Sequence, residues 1–176
     1  TEAAEYQANG GSFILAVDDG YAGSLDGQTG HFTADSHPRA VLFCQLRDDG
    51  RICVFAEDYR VKTLSDQHIE AVMAAGYGEP EYAVVDSAAA ELRGRLAAYG
   101  IGTYGKPQNV EESIKECRRM IAPDANGWRR ILVHPRCQHL RFELGSYRYD
   151  DKGQPIAQHD HGVSALRYLA YRMRYD

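Results

Sequence analysis

The sequence predicts an α/β domain: a mixed β-sheet, with an antiparallel three-strand start and then parallel strands, flanked by helices. Three observations point there. Phe13 to Val17 is an apolar run of β-prone residues bounded by turn signals, as expected of a buried strand. Val41 to Leu46 and Ile52 to Ala56 are two further such runs, joined by Arg47-Asp48-Asp49-Gly50-Arg51, whose Asp-Gly pair marks a hairpin. After them, short apolar runs alternate with helical patterns, which calls for parallel strands and a sheet covered on both faces.

Between the first strand and the hairpin, residues 20–38 are rich in Gly, Asp, Ser and Thr, a long connection that is either functional or mobile. Thr63-Leu64-Ser65-Asp66 opens a helix with Ile69, Val72 and Met73 on one face and Gly76 near its end. Tyr82 to Val85 is a strand following Pro80. Ser87 is placed to cap the next helix, whose Leu92 and Leu96 form a stripe ending at Gly100. Ile101 to Tyr104 reads as a short strand, and Asn109 caps a helix carrying Ile114, Cys117, Met120 and Ile121, stopped by Pro123. Ile131 to Val133 is another strand. Cys137 to Leu144 reads as a helix with Leu140, Phe142 and Leu144 partly buried. A Tyr-rich turn, Tyr147 to Pro155, leads to the last helix, Val163 to Met173.

A chain of 176 residues is long enough for one domain with a substantial core and short for two. No apolar run approaches the roughly 18 residues of a membrane span, and no signal peptide is visible. Thr1 in place of Met suggests an excised or processed chain. Cys44, Cys53, Cys117 and Cys137 show no zinc-ribbon spacing and read as buried thiols in a reducing cytoplasm. A net charge of −5 argues against gripping nucleic acid with the whole surface. It leaves room for a local basic groove from Arg118, Arg119, Arg129, Arg130, Arg136, Arg141 and Arg148, each of which also suits a solvated face.

Three aspartates carry the chemistry. Asp18 closes the first strand, Asp86 closes the strand after Pro80, and Asp160 stands at the start of the closing helix. In the expected sheet Asp18 ends the central strand and Asp86 its parallel neighbour, and Asp160 reaches in beside them. Converging carboxylates repel one another and call for a cation, and hard oxygen ligands favour Mg²⁺ or Mn²⁺. Two such ions about 4 Å apart can activate water and steady the departing oxygen of a phosphodiester. Singly, each aspartate also suits a helix cap or a turn.

Two other patterns fail on detail. Gly100 to Lys106 has the spacing of a phosphate-binding loop, but Pro107 stands where Ser or Thr is required and lacks an N–H. Lys106 remains a candidate contact to a DNA phosphate. His134, Cys137 and His139, with His159 and His161, fit no common zinc spacing. His161 alone is placed to orient the Asp160 carboxylate or a metal-bound water.

The assembled motifs resemble the nuclease domain of the large terminase subunit of tailed bacteriophages, over most of the chain. They are Ala16-Val17-Asp18-Asp19-Gly20-Tyr21; Val84-Val85-Asp86-Ser87-Ala88 with Glu91-Leu92; Gly105-Lys106 with Ser113-Ile114; Cys137, Leu140, Glu143-Leu144 and Tyr147; and Asp160-His161 through Arg167-Tyr168. Each alone is weak, and all five in order are specific. Ser164 departs from the pattern, where many relatives carry a second Asp; Asp160 is then the third ligand, with Asp19 a candidate to help it.

The resemblance implies a single RNase H-like nuclease domain over 1–176, without the ATPase motor. It implies a divalent-metal-dependent endonuclease using Asp18, Asp86 and Asp160 as catalytic and metal-holding residues, with Mg²⁺ or Mn²⁺, as two ions. The implied substrate is double-stranded viral DNA, a concatemer cut during packaging into the capsid. Implied partners are the terminase ATPase domain, the small terminase subunit and the capsid portal, in the cytoplasm of an infected bacterial host and at the procapsid. Two alternatives stay open: a Holliday-junction-resolvase-like nuclease, and a DNA- or portal-docking module with a degenerate site. The low basicity predicts weak DNA binding by the domain alone.

Overall fold

The computed structural model of the chain describes residues 11–174. Six strands and five helices occur in them: β1 (Ser12–Asp18), β2 (Arg39–Leu46), β3 (Ile52–Arg60), α1 (Ser65–Ala74), β4 (Tyr82–Val85), α2 (Ala90–Ala98), β5 (Gly102–Tyr104), α3 (Val110–Ile121), β6 (Ile131–Val133), α4 (Gln138–Ser146) and α5 (His161–Arg172). The strands form one sheet in the order β5-β4-β1-β2-β3-β6. β1, β2 and β3 are antiparallel to one another, and β4, β5 and β6 join in parallel. The expected mixed sheet is therefore the one observed.

Side-chain alternation divides the core. Leu15, Val17, Val41 and Phe43 face α1 and α2, where they meet Ile69, Val72, Leu92 and Leu96. Ile14, Ala16, Leu42 and Cys44 face the other way, onto Cys117, Met120, Leu140, Leu166 and Leu169. Burial on both faces is why β1 and β2 read as unbroken apolar runs rather than alternating ones. Gly50, at φ +84°, makes the tight link of the β2–β3 hairpin. Among the described residues no helix is long and apolar enough to cross a membrane.

Three local expectations need correction. β3 does not stop at Ala56: its ladder with β2 continues through Arg60. Its last residues are polar yet paired: Glu57 accepts the N–H groups of His139 and Leu140, and the Tyr59 hydroxyl donates to Glu143. Ser87 does not cap α2, which starts at Ala90 with no side-chain cap. Asp86 itself turns the chain there, accepting the Ala88 N–H at 2.9 Å. In α4, Phe142 is exposed and stacks on His31, while Glu143 takes the buried position beside Leu140. A pattern of Leu and Phe could not reveal that the inward residue is a carboxylate.

All four cysteines are free and buried. Burial pushes the thiols of Cys117 and Cys137 up to about 12 and that of Cys44 well up. The native chain should therefore leave Ellman's reagent unreacted at pH 8, and all four thiols should react in denaturant. Rapid labelling of the native chain would contradict this packing.

Candidate functional site

The parallel register Val17↔Val85 makes Asp18 and Asp86 the next residues of two paired strands. Neighbouring strands lie about 4.8 Å apart, so the two carboxylates leave the sheet side by side. Asp160 is the N-cap residue of α5, the helix that packs across β1, β2 and β4.

Each carboxylate has a distinct setting. The Tyr168 hydroxyl donates to Asp18 Oδ1 at 2.8 Å, and His161 Nδ1 lies 3.2 Å from Oδ2. The other ring nitrogen, Nε2, lies 2.8 Å from the Ser36 carbonyl. A carbonyl and a carboxylate both only accept, so both ring nitrogens carry protons when both bonds form. Burial alone would lower the His161 pKa, but the hydrogen bond and charge of Asp18, the charge of Glu143 and the Ser36 carbonyl outweigh it and raise it. Tyr168 follows His161 by two helical turns, which puts both on one face of α5.

Asp86 is paired with Lys106 Nζ at 2.7 Å. Partial burial would raise this carboxyl, yet the Lys106 hydrogen bond, the Ala88 N–H and the Lys106 charge together hold it below its ordinary value. Asp160 goes the other way. Burial raises its pKa and the Asp18 charge adds to that, against His161 and Arg167. Asp18 and Asp160 thus lie within electrostatic reach of each other.

Beneath them sits Glu143, 4% exposed, which accepts the Val163 N–H at 3.0 Å and the Tyr59 hydroxyl at 3.2 Å. Burial lifts its pKa to about 7 in spite of these donors and His161. A group raised in the folded state from an ordinary value of about 4.3 stabilises the fold fully below that value and loses its contribution as pH climbs through about 7. Urea midpoints of the native chain should therefore fall between pH 5 and pH 7.5, and Glu143→Gln should flatten that fall. Parallel profiles for the two proteins would contradict the assignment.

Asp19 points elsewhere. It pairs with Arg39 at 2.7 Å; Arg39 also donates to Ser65 Oγ, which in turn donates to Glu91. The 20–38 segment is tied in by the Asp26 carboxylate and by Ser36, whose carbonyl holds His161. His134 accepts the Arg136 N–H, His139 lies against Tyr59 and Phe32, and His159 sits edge-on to Phe142. Among the described residues no three His, Cys, Asp or Glu side chains are grouped so as to hold a metal ion. The sequence reading passed over Glu143, Tyr59 and Tyr168 as site members. Glu143 and Tyr168 stand inside the motifs that carry the resemblance, which give them no role, and Tyr59 stands outside them.

No family model matches the sequence, and no curated protein matches it significantly. Solved structures do. The large terminase of a thermophilic bacteriophage, in complex with ADP, superposes with a TM-score of 0.74 at 18% identity, over 94% of this chain and 40% of that one. The chain therefore spans about two fifths of that protein. The large terminase nuclease domain from bacteriophage SPP1 with bound Mn gives a TM-score of 0.65 at 20% identity, over 96% and 90% of the two chains. The P22 large terminase nuclease domain gives 0.67 at 19%, over 93% and 81%. The chain has the fold of large terminase nuclease domains.

Proposed function

We propose that the chain is a divalent-metal-dependent DNA endonuclease, a single RNase H-like nuclease domain that cuts double-stranded viral DNA during packaging. The observation that supports it most is the placing of Asp18 and Asp86 on paired parallel strand ends, with Asp160 at the adjoining helix start, in a fold shared with nuclease domains solved with bound Mn and bound magnesium. The donor chemistry fits Mg²⁺ or Mn²⁺, since three carboxylates supply hard oxygens and two of them already repel. Asp18, Asp86 and Asp160 would hold the metal, as two ions. Bound there, it would supply an activated water and neutralise charge on the departing oxygen.

The chain's own groups prepare this. Tyr168 and His161 fix the orientation of the Asp18 carboxylate from two sides. Lys106 keeps Asp86 ionised and becomes available to a DNA phosphate once that charge is neutralised by another cation. By the same reading the natural partners are a terminase ATPase domain, a small subunit and the portal, at the procapsid in the host cytoplasm. One observation favours a docking module with a silent site: Lys106 occupies Asp86. Supercoiled plasmid separates the two. The endonuclease converts it to nicked and linear forms with Mn²⁺ and not with EDTA, and a chain that binds plasmid without cutting it under any divalent ion is the docking module.

A further inference from the structure

Asp160 occupies the N-cap of α5 and is a residue type strongly preferred there, yet its side chain makes no cap hydrogen bond. The N–H groups it would normally satisfy belong to the second and third helical residues, Gly162 and Val163. Glu143, reaching over from α4, takes the Val163 N–H at 3.0 Å and lies against the backbone of Gly162. Tyr59 braces the same Glu143 oxygen from β3. Gly162 lets these groups approach, since a Cβ there would stand 1.7 Å from the Tyr59 hydroxyl and 3.0 Å from Glu143 Oε2.

The same device recurs one helix earlier. Glu57, two residues before Tyr59 on the same face of β3, accepts the N–H groups of His139 and Leu140, the second and third residues of α4. There the N-cap is Cys137, which makes no side-chain cap, so a borrowed carboxylate is simply needed. At α5 it is not needed: the local residue could do the work.

We propose that Glu143 is a positioning residue that caps α5 in place of Asp160, so that the Asp160 carboxylate is released from its own helix and turned toward Asp18. Without the borrowed cap, Asp160 folds back onto the Gly162 and Val163 amides and leaves the site. Glu57, Tyr59 and Glu143 thus form a relay from β3 through α4 to the start of α5. The use to which the freed carboxylate is put rests on the nuclease reading; the capping exchange does not.

A double-mutant cycle in urea unfolding tests the exchange without any activity assay. Alone, Asp160→Ala should leave the unfolding equilibrium constant unchanged or favour the fold, because it removes a half-buried carboxylate that caps nothing and repels Asp18. In a Glu143→Ala background Asp160 has become the cap, and the same change should favour unfolding by roughly fivefold, the usual effect of losing one. If Glu143→Ala does not fold, Glu143→Gln serves: its single acceptor oxygen predicts a smaller coupling of the same sign. Equal effects of Asp160→Ala in both backgrounds would overturn the proposal. A second readout is specific to position rather than stability. Mn²⁺ binding, followed by titration calorimetry, should weaken in Glu143→Ala and recover largely in Glu143→Gln. If the cycle shows coupling and no variant binds Mn²⁺, the capping exchange stands and the metal reading falls.

Discussion

Asp86→Ala should abolish metal-dependent plasmid cleavage while leaving the fold intact. The fold should survive because Asp86 lies at a strand end outside the core, and its ion pair with Lys106 is near the surface. Such pairs contribute about 0–1 kcal/mol. The one backbone group it satisfies, the Ala88 N–H, is in an exposed turn and can turn to water. The activity should not survive. Changes to groups that merely support a metal ligand cost about 10–100-fold, so removing a ligand should cost more than roughly a hundredfold. Lys106 then loses its partner. Circular dichroism and thermal unfolding close to the native chain, with no nicking after long incubation, is the expected pair of results. Asp18 would make a poorer test, since its loss also strands the Tyr168 hydroxyl and His161.

Gly162→Ala should destabilise the fold. In an open helix, Gly→Ala stabilises by about 1 kcal/mol, because glycine loses more freedom on folding. Here the sign reverses. The new methyl would stand on the Tyr59 hydroxyl and press on Glu143, both held between β3, α4 and α5. Overpacking a tight site costs about 1–3 kcal/mol, which outweighs the helical gain. In a domain of this size each kcal/mol lowers Tm by roughly 2–4 °C. Tyr59→Phe removes the nearest obstacle but keeps the ring carbon at 2.9 Å, so it should recover part of the loss and not all. Gly162→Ala with an unchanged Tm would contradict the packing at this helix start.

Apolar runs revealed the sheet because β1 and β2 are buried on both faces, so no polar alternation interrupts them. The Asp-Gly link and the Asn109 cap were equally legible, since each acts on its own neighbours. Asp18, Asp86 and Asp160 could be singled out for the same reason: each closes or opens an element that the sequence marks. What the sequence hid was long-range. β3 reads as ending at Ala56 because Glu57 to Arg60 are polar, and the partners of Glu57 and Tyr59 are His139, Leu140 and Glu143, more than eighty residues on. Ser87 looked like a cap by type, but Asp86 turns the chain first. Glu143 gave no sign of burial, because its partners are backbone amides of another helix and a hydroxyl from the sheet. Lys106 could be noticed, but its place on Asp86 depends on β5 lying next to β4.

The central claim is that this sheet end gathers carboxylates to hold a divalent cation. The most direct measurement is a crystal of the chain soaked in Mn²⁺, with anomalous diffraction collected near the manganese edge. The account predicts an anomalous peak beside the carboxylate of Asp18, shared with Asp86 or Asp160, and Lys106 displaced from Asp86. A crystal that takes up manganese elsewhere or not at all, with Lys106 still on Asp86 at saturating Mn²⁺, would contradict it.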